Sequence, residues 1–173
     1  AYYNLGNTLQ DLNRIKEAIT CYDKAIAIKP DYELYNVRAK AHYELNQLKE
    51  CLESYDESIK LKPDDFVAYC NRGLALVGLK KTKEGIASYD KAIQINTNFI
   101  DAIYNRGLAL RILRENKESI KAFKTVIQIE PNHLKSLYEL ALFYRDLKEY
   151  NLALAYCDQI LKIDPNHSKT NFL

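Results

Sequence analysis

The residues able to do chemistry are few and far apart. Cys21, Cys51, Cys70 and Cys157 include no C-x-x-C pair, and His42, His133 and His167 do not cluster with them. A metal site needs such residues at short, regular spacings, so neither a metal site nor a disulfide framework is expected. Each cysteine lies among apolar neighbours in a helical pattern and reads as a small buried hydrophobe. Cys51 and His42 are close in sequence, but each falls on a core-type position of a different helix and they make no catalytic dyad. There is no Gly-rich phosphate loop, no H-E-x-x-H and no nucleophile elbow. The paired carboxylates Asp64 and Asp65 fall where a turn is expected. The chain is therefore expected to be no enzyme, with no catalytic residue and no cofactor.

What recurs is amide and guanidinium chemistry. Asn4, Asn71 and Asn105 occupy equivalent points of a repeated pattern. An amide side chain donates to a peptide C=O and accepts from its N–H, so a row of amides can hold an extended backbone with little regard for its sequence. The plain alternative is a polar residue on a solvated face, and Val37 and Glu139 interrupt the row. Arg38, Arg72 and Arg106 follow one residue later. They read either as anion binders or, the favoured reading, as repeated ion pairs with Asp23, Asp56 and Asp90.

An internal repeat positions these residues. Pro30 to Pro63 spans 33 residues, Pro63 to Pro131 spans 68 and Pro131 to Pro165 spans 34, with Thr97 at the missing mark. Tyr22-Asp23-Lys24-Ala25-Ile26 returns as Tyr55-Asp56-Glu57-Ser58-Ile59 and as Tyr89-Asp90-Lys91-Ala92-Ile93. Each unit holds two helix-length segments, in the third about residues 66–79 and 83–96, with apolar residues at i, i+3, i+4 and i+7. Glu17, Glu50, Glu84 and Glu118 fall in the first turn of second helices, where the dipole favours negative charge. Proline then ends each unit, because it cannot continue a helix.

Small residues recur at one point of the first helices (Gly6, Ala39, Gly73, Gly107, Ala141) and one point of the second (Ala18, Cys51, Gly85, Ser119, Ala153). They allow close helix approach, and Tyr22, Tyr55, Tyr89 and Phe123 are placed to wedge against the next hairpin. One hairpin cannot bury its apolar stripe alone, so stacking must supply the core.

The period, small residues, aromatic and closing proline together resemble the tetratricopeptide repeat (TPR) family, over nearly the whole chain. The resemblance implies an all-α solenoid of stacked antiparallel hairpins, a right-handed superhelix with first helices lining a concave face. One array over 1–173 is expected, with units at about 1–32, 33–65, 66–99, 100–133 and 134–167 and a partial first helix at 168–173. Unit two is one residue short, in the inter-repeat turn. By family register the concave residues are Tyr3, Asn4, Asn7, Asn36, Lys40, Asn71, Leu74, Tyr104, Asn105, Arg111, Tyr138, Glu139 and Arg145. Of these, Asn4, Asn7, Asn36, Lys40, Asn71, Tyr104, Asn105, Arg111, Tyr138 and Arg145 form the candidate peptide-binding site. A carboxylate clamp, used by some members, fails in register, because unit three offers Cys70 with Leu74 where it needs Lys with Asn. Removing Asn71 and Asn105 together is expected to weaken peptide binding with little effect on melting.

Composition bounds the partner. With 25 basic and 23 acidic residues the net charge is +2, too balanced for a dedicated nucleic-acid binder. No apolar run approaches the roughly 20 residues of a membrane span. The chain opens at Ala1 without Met, so it is expected to come from a longer protein, and a cytoplasmic location is the working expectation. The expected partner is a protein or extended peptide. The alternatives are a self-assembling module stacking end to end and the targeting arm of a larger enzyme.

Overall fold

The computed structural model describes residues 1–167; the expected partial helix at 168–173 lies outside the described residues. Among the described residues the chain forms ten α-helices: α1 Tyr2–Asp11, α2 Ile15–Ile28, α3 Tyr32–Glu44, α4 Leu48–Leu61, α5 Phe66–Gly78, α6 Thr82–Ile95, α7 Ile100–Ile112, α8 Asn116–Ile129, α9 Leu134–Asp146 and α10 Tyr150–Ile163. The third hairpin matches its sequence-predicted bounds to within one residue. The chain divides into two compact units, Ala1–Thr97 and the residues from Asn98 onward. In the first unit α1 to α5 each pack on the helix that follows, and in the second α7 to α9 do the same. Such nearest-neighbour stacking is the physical meaning of a repeat protein.

One device closes every hairpin. Each first helix ends in a residue with left-handed backbone: Asn13 (φ 59°), Asn46 (φ 56°), Lys80 (φ 62°), Arg114 (φ 62°) and Lys148 (φ 63°). At the first turn Asn13 N–H donates to Gln10 O at 2.8 Å and Arg14 N–H to Leu9 O at 2.8 Å, and equivalent pairs close the other four. This is a Schellman motif, which satisfies carbonyls the helix end leaves orphaned. Asparagine tolerates this conformation, whereas Lys80, Arg114 and Lys148 adopt it at a steric cost.

The turns between hairpins cap the next first helix. Asp65 Oδ1 accepts from the N–H groups of Val67 (3.1 Å) and Ala68 (3.0 Å). Asp31 accepts from Glu33 N–H at 2.9 Å, and His133 Nδ1 accepts from Ser136 N–H at 3.2 Å. The turn before α3 is residues 29–31 and those before α5 and α9 are 62–65 and 130–133. The missing residue of unit two is thus absorbed in the turn.

The small residues pack as their register requires. A Cβ added to Gly6 would lie 2.4 Å from Tyr22 Cε1, one on Gly73 would lie 2.5 Å from Tyr89 Cε1, and one on Gly107 would lie 2.8 Å from Phe123 Cε1. The aromatic therefore lies flat on the first helix of its own hairpin. It also reaches forward: Tyr22 shares a core with Ala41 and Val37 of α3, and Tyr55 shares one with Ala68 and Ala75 of α5. In the second unit Phe123 joins Leu140, Phe143 and Tyr144 of α9.

Polar staples reinforce two junctions. Arg38 donates to Asp23 Oδ1 at 3.0 Å and to Ser54 Oγ at 3.1 Å. Arg72 donates to Asp56 Oδ1 at 2.6 Å and to Ser88 Oγ at 2.7 Å. In both cases an arginine on one first helix ties the preceding second helix to its own. These two arginines are used as the ion-pair reading requires.

Candidate functional site

The candidate residues of the first unit lie on α1, α3 and α5, and their surroundings differ. Asn4 is exposed. Asn7 is half-buried, and its Oδ1 accepts from the Tyr22 hydroxyl at 2.8 Å, a hydroxyl that also meets Gln10 Oε1 at 3.0 Å. Asn36 Nδ2 donates to Asp65 Oδ2 at 2.8 Å, tying α3 to the residue that caps α5. The buried Asn36 Oδ1 has no partner among the described residues.

Lys40 and Asn71 come together. With Tyr43, Tyr55 and Leu74 they line a pocket of about 210 Å³ formed by α3, α4 and α5. Asn71 and Tyr55 meet in this pocket. Tyr55 is 3% exposed, and burial raises its phenol well above the ordinary tyrosine range. Burial also holds the Tyr22 phenol up, at about 12, helped by the nearby Tyr3, Asp11 and Glu44. Both phenols therefore stay neutral at physiological pH and act as fixed hydrogen-bonding groups. The pocket combines two aromatic walls, an aliphatic side chain, an amide and an ammonium group. Tyr43 escaped the sequence reading, although its place one helical turn beyond Lys40 is a signal for it.

The second unit presents α7 and α9. The Tyr104 ring meets His133 edge-on with centroids 5.3 Å apart, and Tyr138 meets His167 at 6.0 Å. Burial raises the Tyr104 phenol. The two histidines also escaped the sequence reading; the signal is that His133 and His167 are spaced 34 residues apart, as are Tyr104 and Tyr138. Asn105 is half-buried on α7. Arg111 forms an ion pair with Glu139, whose side chain is only 11% exposed. Burial raises the Glu139 carboxyl against the opposing pull of Arg111. Arg145 donates from Nε and Nη2 to Asp146 Oδ1, at 3.1 and 2.9 Å.

No group of three or more His, Cys, Asp or Glu among the described residues is arranged to hold a metal. All four cysteines are buried free thiols. Burial raises Cys51 to about 12 and also raises Cys157, which opposes thiolate reactivity. No helix among the described residues is long and apolar enough to cross a membrane.

Helices that within each unit pack mainly on their sequence neighbours, closed by one repeated turn and one repeated glycine–aromatic contact, define a helical-repeat solenoid of the kind that serves as a protein-interaction scaffold. Tetratricopeptide repeat patterns match residues 1–32, 67–99, 100–133 and 134–167, and a TPR repeat pattern matches 39–80. The chain belongs to the tetratricopeptide repeat family.

Solved structures agree on the fold. A crystal structure of MamA is 22% identical, covers 95% of this chain and 96% of its own, and superposes with a TM-score of 0.87. MamA from Desulfovibrio magneticus RS-1 is 18% identical over 96% of this chain and 95% of its own, with a TM-score of 0.87. YrrB, described as a TPR protein with an unusual peptide-binding site, is 22% identical over 99% of this chain and 89% of its own, with a TM-score of 0.80. At these identities the likeness is one of fold. Comparison with curated proteins by sequence gives no match.

Proposed function

We propose that this protein holds an extended peptide, or an extended segment of a partner protein, against the face formed by its first helices. The observation that carries the reading is the pocket of Lys40, Tyr43, Tyr55, Asn71 and Leu74. It has the composition of a binding subsite: aromatic and aliphatic walls with a few polar groups that fix orientation. Asn71 is half-buried on α5, so its amide has less freedom to lose when a guest arrives, which lowers the entropic cost of binding. Asn4 extends the amide chemistry to α1. The peptide-binding description of YrrB is consistent with this use of the fold.

Within the candidate set the residues divide. Asn7, Asn36, Tyr104, Tyr138 and Arg111 have internal partners and serve mainly to shape the face. Asn4, Lys40 and Asn71 in the first unit are the proposed contacts. Site-specific photo-crosslinking tests this. A benzophenone side chain replacing the exposed Tyr43 should capture a partner from an extract of the source cell, and one replacing the exposed Ile28 should not. Equal capture from both positions would remove the reading.

A further inference from the structure

We infer that the pocket of Lys40, Tyr43, Tyr55, Asn71 and Leu74 selects an acidic side chain, glutamate or aspartate, in the bound peptide. The inference rests on the peptide-holding reading above and adds a chemical preference to it.

The argument starts from a carboxylate that is used elsewhere. Lys40 and Glu44 stand four residues apart on α3, the spacing at which a helix pairs opposite charges on its surface. That pair does not form. Glu44 Oε1 instead accepts from Gln10 Nε2 of α1 at 2.8 Å. The other carboxylate near the pocket is Asp65, whose charge is felt by the Tyr55 phenol. Its two oxygens are also committed: Oδ1 caps α5, and Oδ2 accepts from Asn36. Lys40 thus lines the pocket as an exposed ammonium with no salt-bridge partner among the described residues.

The remaining walls suit the stem of such a guest. Tyr43, Tyr55 and Leu74 offer apolar surface to methylene groups, and the cavity of about 210 Å³ admits one side chain of glutamate size. A carboxylate beside Lys40 would gain a charge-assisted hydrogen bond, roughly twice as strong as a neutral one. A lysine or arginine guest would meet like charge at the same place. An uncharged guest of equal shape would fill the cavity without answering the ammonium.

The test uses the full chain and a display library of random twelve-residue peptides, selected in parallel on wild type, Lys40→Gln and Leu74→Glu. Lys40 is exposed, so Lys40→Gln should keep the wild-type urea midpoint. Leu74→Glu supplies Lys40 with an internal carboxylate and blocks the cavity. On wild type, enriched peptides should share an acidic residue at a fixed position. Changing that residue to its amide should weaken binding about tenfold by fluorescence anisotropy, the ratio expected for loss of one charged hydrogen bond.

On Lys40→Gln the library should still enrich peptides, without the acidic position, and the wild-type peptide and its amide should bind alike. If wild-type binders show no acidic position, or if Lys40→Gln retains one, the acidic preference is overturned while the peptide-holding reading stands. If wild-type binders bind Leu74→Glu as well as wild type, both fall.

Discussion

Gly73→Ala tests the packing on which the whole repeat depends. The added Cβ would lie 2.5, 2.8 and 2.9 Å from Cε1, Cδ1 and Cζ of Tyr89. Tyr89 is 1% exposed, so its ring has no solvent to swing into. Such overpacking costs about 1–3 kcal/mol. Against it stands the helical preference of alanine over glycine, about 1 kcal/mol.

Gly78→Ala on the same helix supplies the control. Its Cβ would meet only Leu48 Cδ1 closely, at 2.8 Å, with the next atoms at 3.8 and 3.9 Å. That contact is the end of a flexible side chain. The propensity term largely cancels between the two variants, so Gly73→Ala should be less stable than Gly78→Ala by about 1–3 kcal/mol. Urea unfolding followed by far-UV circular dichroism reads the difference. Combining Gly73→Ala with Tyr89→Leu should recover part of the loss, because the atoms in conflict are gone. Equal midpoints for the two alanine variants, or a double-mutant coupling below about 0.5 kcal/mol, would refute the argument.

Other consequences are more local. Lys80→Gly and Arg114→Gly relieve left-handed backbone and should each raise stability by about 0.5–1 kcal/mol, after the entropy cost of glycine; a lower urea midpoint would contradict the turn assignment. The Tyr22 phenol, held at about 12 by burial, keeps its proton in the folded chain after the unfolded chain has lost its own. Its contribution is complete below the ordinary tyrosine value and declines as pH rises through 12, so Tyr22→Phe should flatten the fall in urea midpoint between pH 9 and 11, and an unchanged slope would oppose this. Burial raises the Glu139 carboxyl, so its contribution is largest in acid and declines as pH rises through the raised value. Glu139→Gln should therefore gain on wild type from pH 4 to pH 7; a loss over that range would mean the Arg111 pair outweighs desolvation.

Much of the architecture was legible because it repeats. Gly6, Gly73 and Gly107 are marked by spacing alone, and each lies under the aromatic that the same spacing supplies. The pairing of Arg38 with Asp23 and of Arg72 with Asp56 was legible for the same reason. The turns were harder. Asn13 and Asn46 announce left-handed backbone, but Lys80, Arg114 and Lys148 hide it, since hydrogen bonds of the Schellman motif set their conformation. The partners of the candidate site residues were not legible. A helical wheel offers Glu44 to Lys40, yet Glu44 turns to Gln10 on the neighbouring first helix. Asn36, placed in the candidate peptide-binding set by family register, turns to Asp65, the last residue of its own repeat and the cap of α5. Competition among neighbouring helices and turns decides such choices, and a period measured within one chain of letters does not contain it.

That competition separates stacking from recognition. Asn36, Tyr104 and Tyr138 hold equivalent positions, and each reaches the last residue of its own repeat: Asp65, His133 and His167. One position therefore carries an amide–carboxylate pair in one repeat and a phenol–imidazole pair in two others, with the two partners changing together. Residues changing as matched pairs answer to each other, and such a position is spent on the seam between hairpins. Lys40 and Leu74, four residues further along their helices, hold equivalent positions too, but they change from cation to alkyl while lining one pocket. Variation that no internal partner compensates is where a solenoid can write its preference for a guest, and in the first unit it falls at Lys40.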